Sequence, residues 1–155
     1  MTSGTPSPSR ANWPLRSPAV LIAAQSGRAL AAAARRAGYS PLVADLFGDD
    51  DTRTLASRTV RLPKRLSAPA FRHALDCLSD GAAPVGLVYG SLLESRPDLL
   101  DVAAAAHAIL GNGADTVRRL KDPFAFAALC RDCAVPWTAT SAAAGCRAAK
   151  CSLWW

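Results

Sequence analysis

From Pro18 onward, short apolar runs alternate with helix-forming stretches. Residues 19–24, AVLIAA, are continuously apolar and lie between Pro18 and the turn Gln25-Ser26-Gly27-Arg28, the pattern of a central strand buried on both faces. Ala29 to Ala37 favours helix and is closed by Gly38, whose missing Cβ suits a left-handed C-cap. Leu42 to Ala44 then reads as a second strand leading into Asp45, and Thr59 to Arg61 as a weak third strand stopped by Pro63. A helix over Pro69 to Leu78, a strand over Val85 to Tyr89, a helix over Pro97 to Ala106 and a strand over Ala108 to Leu110 complete the series. Strands that alternate with helices imply right-handed crossovers and a parallel sheet covered on both faces. The expected fold class is α/β, a Rossmann-like three-layer sandwich with a mainly parallel sheet of about five strands.

Beyond that sheet the pattern turns helical. Gly111-Asn112-Gly113 is a turn cluster in which Asn112 can cap a helix beginning at Ala114 and Asp115 and ending among Arg118, Arg119 and Lys121. A second helix opens at Asp122, with Pro123 in the first turn where a missing N–H is harmless, and Val135-Pro136 ends it. Residues 1–17 are rich in Ser, Thr, Pro and Gly and read as a disordered leader, and residues 137–155 as an irregular, poorly ordered tail.

With half of its 155 residues hydrophobic, the chain can build one ordinary core. Eighteen Lys and Arg against twelve Asp and Glu leave a net charge of +6, but the arginines are dispersed and not interleaved with aromatics, so no nucleic-acid track is expected. No apolar stretch approaches a membrane span. The acid-free Ala-, Arg- and Ser-rich segment through Ala44 has the composition of an organellar transit peptide, yet it also reads as the first unit of the fold. An odd cysteine count argues for a reducing compartment, the cytoplasm.

In a parallel α/β sheet, ligands bind outside the carboxyl ends of the strands. That rule selects Gln25, Ser26, Gly27 and Arg28, Asp45, Gly90 and Ser91, and Gly111 and Asn112 as the loops facing a small-molecule substrate or a nucleotide. The first turn has one glycine where a dinucleotide fingerprint needs three, and Asp45, although placed where a ribose-binding acid would lie, more simply serves as a turn or helix cap. Asp49, Asp50 and Asp51 read as a solvated turn, Cys77 as a core residue, and His73 and His107 as surface and strand-edge side chains. Cys130, Cys133, Cys146 and Cys151 fall near structural zinc spacing, which supports an alternative: a small zinc-stabilised interaction module. Cys130 and Cys133 also fit as a buried helical pair.

The stretch from Leu110 to Pro136 resembles the hinge that joins the N-terminal domain to the ATP-binding domains in ATP-grasp ligases such as biotin carboxylase and related carboxylate–amine ligases. Thr116, Val117, Arg118, Asp122, Val135 and Pro136 fall at the matching places; Pro123 departs from the Lys often found after the Asp, leaving Lys121 as the nearest cation, and Ala134 stands where Gly is usual. AVLIAAQSGRALAAAARRAGYSPLVADLF is similar to the opening of that family's N-terminal domain, and GLVYGS is compatible with its fourth strand. The resemblance implies a pre-ATP-grasp domain over 18–122 and a hinge helix over 123–136 marked by Lys121, Asp122 and Pro136. A full-length relative would use ATP and magnesium to activate a carboxylate as an acyl phosphate and join it to an amine. The family's Lys-bearing strand, glycine-rich flap and metal-binding acids are not recognised after Pro136, so the expectation is a substrate-side domain truncated after the hinge, without activity alone. It would meet a small-molecule substrate, with no nucleic acid or membrane partner and room for a homo-oligomer.

Overall fold

The computed structural model describes residues 17–137; apart from Ser17 and Trp137, the leader and tail expectations fall outside the described residues. The chain divides into two compact units, with the boundary between Ala114 and Asp115. In the first, β1 (Ala19–Ala24), α1 (Arg28–Arg36), β2 (Ser40–Asp45), α2 (Asp50–Leu55), β3 (Arg58–Arg61), α3 (Ala68–Ser79), β4 (Leu87–Tyr89), α4 (Ser91–Glu94) and α5 (Pro97–Ala104) follow in order. Helix α6 (Ala114–Lys121) starts at the boundary and α7 (Pro123–Asp132) lies in the second unit.

The sheet is parallel throughout and ordered β3-β2-β1-β4. Its centre is β1, where Leu21 and Ile22 sit opposite Leu42 and Val43 of β2 and opposite Leu87 and Val88 of β4. Successive side chains alternate between faces. Ile22 and Val43 pack with Ala31 of α1, joined by Leu30, Ala34, Leu55 and Ala56. The opposite face is covered by α3, whose Phe71, Ala74, Leu75 and Leu78 recur at helical spacing and are buried, and α3 packs in turn on α5. These are the three layers expected.

The fifth strand is reduced to a single parallel bridge between Leu87 and Ile109, with Leu87 N–H donating to Ala108 O and Leu110 N–H to Leu87 O, both at 2.8 Å. The cause is length. After α5 the turn at Ala106 and His107 still bonds back to Ala103, and Gly111 begins the next turn, so only a few residues are left to pair. Strand β4 likewise starts at Leu87, not Val85, although Val85 N–H reaches Ala19 O at 2.8 Å.

Three other expectations need correction. The acidic run is not a bare turn: Asp49 accepts from Thr52 N–H at 2.7 Å and caps α2, with Asp50 and Asp51 in the first turn, where carboxylates oppose the helix dipole favourably. Cys77 is exposed, because the buried stripe of α3 passes through Phe71, Ala74, Leu75 and Leu78 and leaves position 77 on the outer side. Cys130 and Cys133 are not a buried pair, since Cys130 is buried and Cys133 is exposed at the end of α7. Among the described residues, no helix is long and apolar enough to cross a membrane.

Candidate functional site at the carboxyl edge of the sheet

Because every strand is parallel, the loops after β1, β2 and β4 and the turn after Ile109 leave the same edge. The chain order reverses between β1 and β4: the strands run outward from β1 through β2 to β3, and β4 then adds on the other side of β1. The edge outside these carboxyl ends is where open α/β sheets bind ligands. It is flanked by Gln25, Ser26 and Arg28 after β1, all exposed, and by Gly90 and Ser91 after β4.

The first of these loops is held by a buried acid. Asp45, at 2% exposure, accepts from Gly27 N–H at 3.1 Å through one carboxylate oxygen and from Gly48 N–H at 2.7 Å through the other. Leu46 N–H closes the same corner on Gln25 O at 3.2 Å. Asp45 thus faces the protein's own backbone and joins the β1 and β2 loops. Gly27 is required for space: a Cβ there would stand 2.3 Å from Val43 Cγ1. Arg28, the first residue of α1, pairs with Asp51 at 2.8 Å; both side chains are more than half exposed, so the pair guides the loop more than it stabilises it.

On the other flank, Gly90 N–H donates to Ala23 O at 2.9 Å, keeping the β4 loop against β1. Tyr89 then fixes the next turn. Its hydroxyl donates to Asn112 O at 2.7 Å, and its ring lies where a Cβ on Gly111 would come within 3.3 Å. Burial pushes the Tyr89 hydroxyl pKa up, and the nearby Glu94 carboxylate adds to the rise, so the group stays a donor. Sequence reading missed Tyr89; the signal was an aromatic with a polar tip at a strand end, facing a Gly-Asn-Gly turn. The structure therefore gathers Gln25, Ser26, Gly27, Arg28, Asp45, Gly90, Ser91, Gly111 and Asn112 at one edge of the first unit.

The remaining sequence candidates lie in the second unit. Lys121 ends α6, and Asp122 caps α7 by accepting from Phe124 N–H at 2.9 Å and Ala125 N–H at 3.1 Å, with Pro123 in the first turn. The helix ends in a Schellman motif: Ala134 N–H donates to Arg131 O and Val135 N–H to Cys130 O. Ala134 has a φ of 53°, in the left-handed region that glycine adopts without a Cβ penalty. Pro136 follows, exposed, and Trp137 packs edge-on against Phe126 with ring centroids 4.7 Å apart. Cys146 and Cys151 of the zinc pattern lie outside the described residues.

No protein-family model matches the sequence, and no curated protein is significantly similar to it. Solved structures are similar in fold. An N5-carboxyaminoimidazole ribonucleotide synthetase in an ADP complex aligns with a TM-score of 0.59 at 17% identity, over 77% of this chain and 30% of its own. The biotin carboxylase domain of a single-chain bacterial carboxylase aligns at 0.57 and 23% identity, over 77% of this chain and 29% of its own. The N5-carboxyaminoimidazole synthetase of Staphylococcus aureus, also with ADP, aligns at 0.55 and 18% identity. The likeness to these enzymes is one of fold. This chain spans about a third of the length of those proteins.

At the β1 loop the Gly27 N–H is committed to Asp45, and among the described residues no three His, Cys, Asp or Glu side chains form a metal-holding group.

Proposed function

We propose that this chain is the substrate-side domain of an ATP-grasp carboxylate–amine ligase, holding a small polar molecule at the carboxyl edge of its sheet and leaving ATP, magnesium and phosphoryl transfer to a part of the enzyme outside the residues described. The observation that carries the reading is the match over three quarters of this chain to enzymes of which it spans only about a third. Gln25, Ser26, Arg28, Ser91 and Asn112 would supply the polar contacts, with Gly90 and Gly111 allowing close approach. Asp45 and Tyr89 position the loops. Lys121, Asp122 and Pro136 would form the link toward the ATP-binding part, and the chain alone would be inactive. Cys77, Cys130 and Cys133 are free thiols, which suits a reducing cytoplasm.

The test is an amide NMR titration of the full chain with bicarbonate, small carboxylates and ribonucleoside monophosphates, beside an assay of ATP hydrolysis with magnesium. Shifts confined to residues 25–28, 90–91 and 111–112, with no hydrolysis, are expected. Shifts elsewhere, no shifts with any of these probes, or ATP turnover by the chain alone overturn the reading.

A further inference from the structure

The outer face of α3 carries chemistry that the sheet edge does not use. Arg72, His73, Asp76 and Cys77 are all exposed there, opposite the buried stripe. Cys77 Sγ lies 3.5 Å from His73 Nε2 and 4.0 Å from Nδ1, one helical turn away. With the imidazole protonated on Nδ1, the thiol donates to Nε2. Beside this pair runs a surface groove of about 310 Å³, lined by Ala68, Pro69, Arg72, His73, Asp76 and Val102. His73 belongs to both, so the thiol's hydrogen-bond partner also forms a wall of the groove.

We propose that Cys77 is a site of thiol–disulfide exchange with a small zwitterionic disulfide of the glutathione type, with His73 handling the proton. Arg72 and Asp76 offer one cation and one anion across a single helical turn, matching the α-carboxylate and α-ammonium of an amino-acid headgroup, while Ala68, Pro69 and Val102 provide an apolar floor. In the reaction the Cys77 S–H proton passes to His73 Nε2 and the sulfur attacks one sulfur of the disulfide. A new S–S bond forms to Cys77, the old one breaks, and the departing thiolate takes the proton from His73. Cys77 is oxidised and the leaving sulfur reduced, so the electrons balance without a further reagent.

Cys133 provides an internal control, since it is also exposed at the end of a helix but has Leu129, not a histidine, four residues before it. Full-length protein would be incubated with glutathione disulfide near neutral pH and the mixed disulfides counted by peptide mass mapping. Cys77 is expected to react faster than Cys133 by on the order of tenfold, and His73→Gln to remove that advantage while leaving helix content unchanged. Arg72→Ala should slow the reaction with glutathione disulfide but not with uncharged 2-hydroxyethyl disulfide. Equal rates at Cys77 and Cys133, or a rate unaffected by His73→Gln, overturn the assignment; equal effects of Arg72→Ala on both disulfides remove the groove from it.

Discussion

Both oxygens of Asp45 are committed to backbone N–H groups on different loops, and this single buried side chain joins the β1 and β2 exits into one edge. An Asn at this position would present one acceptor in place of two and leave a buried N–H without a partner. Asp45→Asn is therefore expected to destabilise the fold by about 1–3 kcal/mol in urea denaturation, and an unchanged midpoint would show that the clamp contributes nothing. Gly27 answers a different demand. Its φ of −82° is open to any residue, so what excludes a side chain is the 2.3 Å approach to Val43 Cγ1. Gly27→Ala should cost about 1–3 kcal/mol through overpacking, read in the same denaturation experiment. Neither requirement was legible locally: the sequence marks Asp45 as a turn-forming acid and Gly27 as a turn glycine, and their meeting depends on two strands lying side by side.

At the scale of elements, periodicity read the central structure well. The run AVLIAA became β1, and the buried stripe of α3 follows the helical period. Gly38 sits at a φ of 84° after α1, with Gly38 N–H on Arg35 O and Tyr39 N–H on Ala34 O, the Schellman geometry its missing Cβ permits. Helix α7 ends in the same motif with alanine in the left-handed position. Ala134→Gly should therefore relieve about 1 kcal/mol of backbone cost, seen as slower amide exchange across α7, and faster exchange would contradict that account. Short elements were harder to read. A six-residue helix and a strand reduced to one bridge leave too few positions for a period to show, so α2 was hidden inside an acidic run and the fifth strand was overestimated.

Across the whole molecule, two carboxylates link the fold to acid. The Asp98 carboxyl is held below its ordinary value chiefly by hydrogen bonding to Arg96, which meets it through Nε at 2.9 Å and Nη2 at 2.6 Å while Nη1 reaches Leu66 O at 3.1 Å. Asp49 is lowered chiefly by the Thr52 backbone N–H. A carboxyl whose folded-state pKa is lowered binds its proton more readily when unfolded. Its contribution is whole above the ordinary carboxylate range, about pH 4, and is lost as pH falls through the lowered value. Stability should therefore decline below about pH 4, and Asp98→Asn should make that decline shallower in denaturation curves taken across the acid range. An identical slope in the variant would remove Asp98 from the acid response.

The sequence by itself determined the α/β alternation, the buried character of β1 and β2 and the glycine-capped end of α1, because each is written in near-neighbour spacing that short-range sterics and burial enforce. Tertiary structure alone decided that Asp45 faces inward to two loops, that Tyr89 holds the Gly111-Asn112 turn, and that Cys77 stands outside the core beside His73. The loop contacts join residues eighteen and twenty-three positions apart, and the exposure of Cys77 depends on which face of α3 the sheet covers. Such pairings arise only when separate strands and helices are packed side by side.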